Sequence, residues 1–111
     1  MGSSRNDIRE MPEEVQDIFG RAILQAQYGG KASNAKPLKE HRGAGVLEVV
    51  SDFDGDTYRA VYTVRFEGAI YVLHAFQKKS SRGIKTSERD LTMIKTRLKL
   101  AEEHYASRGE R

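Results

Sequence analysis

Cysteine is absent from the 111-residue sequence, and proline occurs only twice. Without cysteine there is no thiol nucleophile, no Cys-containing zinc site and no disulfide framework. No apolar run approaches the roughly 20 residues that a membrane-spanning helix needs. Met1 to Asp7 lack the apolar stretch of a signal peptide, so the expected location is cytoplasmic, with no membrane partner. A Walker loop, a His-Glu-x-x-His pair and a nucleophile elbow are all missing. His41, His74 and His104 show no ligand spacing, and neither a metal nor another cofactor is expected. Asp52, Asp54 and Asp56 alternate as in a calcium loop, but Gly55 falls at the wrong spacing and no bidentate Glu follows. A hairpin turn is the expected reading there.

What is present suffices for a folded domain: 38% of residues are hydrophobic and 32% are charged. The length fits one domain over 1–111, able to bury a core without cross-links, with 1–10 as a flexible or edge segment. The net charge of +3 conceals an asymmetry, since residues 1–56 carry −3 and residues 57–111 carry +6. Between Gln77 and Lys99 stand eight basic residues, Lys78, Lys79, Arg82, Lys85, Arg89, Lys95, Arg97 and Lys99, against Glu88 and Asp90 alone. Such an excess favours a polyanionic partner; its plainer reading is a solvated helix face and loop.

Pro12 suits the start of a helix, with Glu13 and Glu14 in the turn where negative charge complements the dipole. Val15, Ile18, Phe19, Ala22, Ile23 and Ala26 follow the spacing of one buried face, and Tyr28-Gly29-Gly30 ends it. Lys31 to Gly45 has no sustained period and reads as a loop. Val46 to Val50 is a short strand, broken by Asp52 to Asp56. Thr57 to Phe66 alternates cleanly, Glu67-Gly68 turns, and Ala69 to Gln77 forms a more apolar strand. Ser87 caps a last helix, with Asp90 three residues on, and Leu91, Ile94, Leu98, Ala101 and Tyr105 line one face. The expected fold class is α+β, with N-terminal and C-terminal helices packed on a small, mostly antiparallel sheet.

A two-residue turn at Glu67-Gly68 sets Arg59 opposite Phe76, Val61 opposite His74, Thr63 opposite Val72 and Arg65 opposite Ile70. One face then carries Arg59, Arg65 and His74. The other carries Tyr58, Tyr62, Val64, Phe66, Tyr71 and Leu73, and is the expected seat of the helices. Arg59 lies near Lys78 and Lys79, three cations that would repel one another unless an anion sits among them. That predicts an exposed phosphate site. His74 has two readings, a satisfied core histidine or a proton-transfer group. Arg65 is either solvated or an RNA contact.

The run Tyr58-Arg59-Ala60-Val61-Tyr62-Thr63-Val64, followed by Tyr71-Val72-Leu73-His74-Ala75-Phe76-Gln77-Lys78-Lys79, resembles the core hairpin of RelE/HigB-type toxins. Ala35-Lys36-Pro37-Leu38-Lys39, Gly83-Ile84-Lys85-Thr86 and Arg97 to Glu103 are similar to the phage-associated HigB-like branch. The resemblance covers roughly Met11 to Tyr105. It implies a type II toxin that enters the ribosome and cuts mRNA, using the RNA's own 2′-hydroxyl and no metal. It also implies a cognate antitoxin with a helix-turn-helix domain, encoded alongside. In that family pattern Arg59 would clamp the scissile phosphate, and Lys78 and Lys79 would stabilise charge or bind flanking phosphate. The acid and base stay open, with His74 a candidate for proton transfer, and the basic excess adds Arg82, Lys85 and Arg65 as candidate RNA contacts. ParE-like toxins, which inhibit DNA gyrase without cutting RNA, share the architecture, and a non-catalytic RNA-binding module is a third reading.

Overall fold

The structure, a computed structural model, describes residues 4–30, 33–38, 45–78 and 87–109. In chain order it runs α1 (Ser4–Arg9), α2 (Glu13–Gln27), β1 (Ala35–Pro37), β2 (Val46–Phe53), β3 (Asp56–Thr63), β4 (Val72–Lys78) and α3 (Glu88–Gly109). The four strands form one antiparallel sheet in the order β1-β2-β3-β4. The chain is thus α+β, with helices from both ends flanking the sheet. Among the described residues no helix is long and apolar enough to cross a membrane.

Helix α2 follows directly from its pattern. Val15, Phe19, Ala22 and Ala26 are its buried residues. The helix ends where the Gly29 and Gly30 amides donate to the Ala26 and Gln25 carbonyls at 3.0 and 2.8 Å. The segment before Met11 forms α1, whose Ile8 packs against the same core as α2. Ala35–Pro37, inside the segment expected as loop, adds the edge strand β1, with Ala35 facing Val49. Three residues give no period to read, so this strand exists through its pairing rather than its own pattern.

Asp54 and Gly55 connect β2 to β3, both with positive φ (51° and 83°), which is the backbone of a tight hairpin turn. Asp52 accepts a hydrogen bond from the Thr57 hydroxyl at 2.8 Å and closes this end. That turn fixes the register of β2 on β3, from Phe53 opposite Asp56 to Val46 opposite Thr63.

The helices do not share a face. Leu47, Val49, Tyr58, Ala60, Tyr62 and Ala75 pack with α2. Val46, Val61 and Leu73 pack instead with Leu38 and with Ile94, Leu98 and Ala101 of α3. Val46 and Val61 face α3 by simple alternation, and Leu73 joins them through a register shift in β4: Val61 faces His74, but Tyr62 faces Val72, leaving Leu73 as an extra residue. The bulge turns Leu73 to the α3 side, and Phe66 and Tyr71 follow it there. The expectation that one face would seat both helices is therefore corrected, as is the placement of these three residues beside Tyr58. Thr63 does not face Val72, and its amide donates to the Tyr71 carbonyl at 3.0 Å.

Gly45 marks a close crossing at the start of β2. Its φ is +71°, and a Cβ added there would lie 2.5 Å from the Arg65 Cβ and 3.1 Å from its Cα. The Gly45 carbonyl also accepts from the Val64 amide at 2.8 Å, so the crossing is fixed. Gly45→Ala is expected to destabilise the fold by about 1–3 kcal/mol, through overpacking and backbone strain. A urea unfolding curve checks this; an unchanged midpoint would contradict it.

Candidate nucleic-acid interface

Glu48 is the one charged residue in the run Val46 to Val50. The turn at Asp54-Gly55 pairs Val50 with Arg59 and Glu48 with Val61, so Glu48 and Arg59 are diagonal neighbours on the α3 side. Their side chains meet at 2.6 Å, with Glu48 3% and Arg59 6% exposed. The expected exposure of Arg59 is corrected here. Arg59 is a buried cation, and the anion that its position demands is supplied by the chain itself. A pair so closely joined presents little net charge to a phosphate, and leaving either partner alone would be costly.

His74 lies opposite Val61, as the alternation predicts. It is 6% exposed, stacked on Phe76 at 4.7 Å between centroids. Nε2 sits 2.8 Å from an Asp90 carboxylate oxygen, and the Arg97 guanidinium lies 3.4 Å from Nδ1 while donating to the Leu73 carbonyl at 2.9 Å. An arginine can only donate, so this network assigns the proton to Nε2, which donates to Asp90. Asp90 in turn accepts from the Ser87 hydroxyl at 2.7 Å, and its amide donates back to Ser87 Oγ at 3.2 Å. The expected cap at Ser87 thus also ties the first turn of α3 to β4.

The remaining expected site residues divide. Lys78 is the last residue of β4, opposite Thr57 and two positions beyond Phe76. Arg65 is not brought to this group. It lies beyond the other end of β3, paired with Glu102 at 3.0 Å and over the Phe66 ring at 5.3 Å, rather than opposite Ile70. Both partners of that pair are more than a third exposed, so the contact contributes little to stability. Lys79, Arg82 and Lys85 lie outside the described residues. Glu48, Asp90 and Arg97 complete the polar layer, and none of them is among the expected site residues. Glu48 is signalled by its position as a lone charge in an apolar strand; Asp90 and Arg97 depend on where α3 docks.

Two other features are less suited to bind a polyanion. A cleft of about 240 Å³ is lined by Asp7, Glu10, Tyr58 and Gln77 among others, and its carboxylates have the wrong sign. Tyr62 is wholly buried on the α2 side, and that burial raises its hydroxyl pKa. A phenol so placed is out of reach of a large substrate.

The described residues therefore define a class: an α+β sheet domain whose last strand and last helix are pinned together at the two ends of a cationic connection. Residues 6–99 match the family described as phage-derived protein Gp49-like, and the chain belongs to that family. Neither a curated protein nor a solved structure is significantly similar to it.

Proposed function

We propose that the chain is the toxin of a type II toxin–antitoxin pair, acting in the cytoplasm as a ribosome-dependent endoribonuclease on mRNA. The Gp49-like family is related to RelE and toxin-like proteins, which supports the class. The observation that carries the reading is the charge between Gln77 and Lys99, eight cations against two acids. Asp90, one of those acids, is turned toward His74 and Ser87, and even with both acids counted the stretch keeps a net excess of six cations.

In this reading the 2′-hydroxyl of the substrate loses its proton and attacks the adjacent phosphorus. The 5′-oxygen leaves with a proton, giving a 2′,3′-cyclic phosphate and a 5′-hydroxyl. The step places extra negative charge on the phosphorane, and fixed cations lower its energy most where water is excluded. Lys78 and Lys79 are the proposed source of that charge, with Arg82 and Lys85 holding flanking phosphates. Arg59 and His74 act one layer below, as positioning residues. The Glu48–Arg59 pair keeps the sheet face dry, and the His74–Asp90 contact sets where the connection enters α3.

Ribosome binding should weaken steeply with salt, with Arg82→Ala and Lys85→Ala each lowering the logarithmic slope by about 0.7. A slope near zero would contradict the reading. Induction followed by mapping of mRNA 5′ ends tests the activity, and cuts confined to translated regions are expected. Intact mRNA with DNA damage would instead indicate a gyrase inhibitor. Ribosome binding without cuts would indicate a binding module.

A further inference from the structure

Helix α2 carries an outer stripe that its own fold does not explain. Its buried residues fix the inward direction, and at 3.6 residues per turn Glu13, Asp17, Gly20, Leu24 and Tyr28 run along the opposite side. The stripe is acidic at one end and apolar at the other, where Leu24 is 51% and Tyr28 85% exposed. Gly20 stands in the middle. A Cβ added there would meet nothing within 4 Å, so no contact inside the chain requires its absence. Glycine in a helix interior destabilises it relative to alanine, and at position 20 there is no turn or cap to justify it. What a bare position does provide is close approach of another backbone from outside, with Leu24 beside it as an apolar contact.

We propose that this stripe docks a protein partner through an amphipathic helix. Apolar side chains of that helix cover Leu24 and Tyr28, and its Lys or Arg residues reach Glu13 and Asp17. A polyanion is disfavoured by the carboxylates. A second copy is a poor fit as well. Antiparallel crossing at Gly20 sets Asp17 against Leu24 and Glu13 against Tyr28, while parallel crossing sets carboxylate against carboxylate. A basic, apolar helix answers both ends of the stripe. The inference rests on the toxin reading only for the partner's identity, the inhibitory protein encoded beside this chain.

The test is to co-express the two proteins and compare complexes formed by the unaltered chain, Gly20→Arg and Leu24→Glu. The isolated Gly20→Arg chain should melt no lower than the parent, because its side chain enters open space. Both variants should bind the partner at least 100-fold more weakly. A complex unaffected by either variant would overturn the inference, and so would failure of the neighbouring protein to bind. Light scattering that finds a dimer broken by Gly20→Arg would overturn it too, by making the occupant a second copy. Growth inhibition by the chain alone reads the toxin proposal separately. A chain that arrests nothing yet loses its partner on Gly20→Arg would leave the docking surface standing without the toxin.

Discussion

Arg59→Ala is expected to lower stability by about 3–5 kcal/mol, more than the loss expected from Gly45→Ala. The truncation leaves the Glu48 carboxylate 3% exposed and without the guanidinium now 2.6 Å away. A loss of that size is a large part of the roughly 5–15 kcal/mol that holds a domain together. Urea unfolding should show a midpoint lowered by more than about 1 M, taking a slope of about 1–3 kcal/mol per M. Replacing both partners, Glu48→Leu with Arg59→Met, should recover most of the loss, because apolar groups of similar volume can fill the site without an unpaired charge. The double variant also separates two roles. If the pair only supports the sheet, the double variant cuts RNA within a few-fold of the parent. If it folds and is inactive, the pair serves activity beyond its support of the sheet.

Lys79→Ala is expected to slow RNA cleavage about 100- to 1,000-fold, the usual loss when a group that stabilises transition-state charge is removed. Lys78→Ala should fall in the same range, and the double variant should lose less than the product of the two, since both cations serve one phosphorane. Thermal unfolding of each variant measures the fold independently, so a fall in rate with unchanged Tm assigns the effect to the chemistry. Lys79→Arg should recover part of the rate by restoring the charge with a different shape. Cleavage at the parent rate by the double variant would remove these lysines from the mechanism.

Much of the fold is legible from local pattern, and the failures have specific causes. Helix α2 and the cap at Ser87 follow from period and capping chemistry, and the pairing of Arg59 with Phe76 and of Val61 with His74 comes out as expected, though not through an unbroken ladder from Glu67-Gly68. The pairing beyond His74 does not, because the bulge at Leu73 shifts every later residue. Nothing within β4 announces that bulge. It is stabilised by contacts from α3, with Arg97 donating to the Leu73 carbonyl. The loop after Thr63 is likewise held from outside, by Tyr105 donating to the Glu67 carbonyl at 2.7 Å and by the Arg65–Glu102 pair. The burial of Arg59 is within reach of pattern alone. Glu48 sits in an apolar strand, and counting back from Asp54-Gly55 brings it diagonal to Arg59 on one face. The pair is hidden only when β3 and β4 are read without β2.

The most direct test of the central claim is to analyse the ends left on a short mRNA programmed into ribosomes and treated with the purified protein. A matched mRNA carries a 2′-O-methyl group at the nucleotide before the cut. The proposed reaction predicts a 5′-hydroxyl on one fragment, a 2′,3′-cyclic phosphate or its hydrolysed 3′-phosphate on the other, and no cut in the methylated mRNA. Absence of cleavage, a fragment bearing a 5′-phosphate, or cleavage of the methylated mRNA at the parent rate would contradict it.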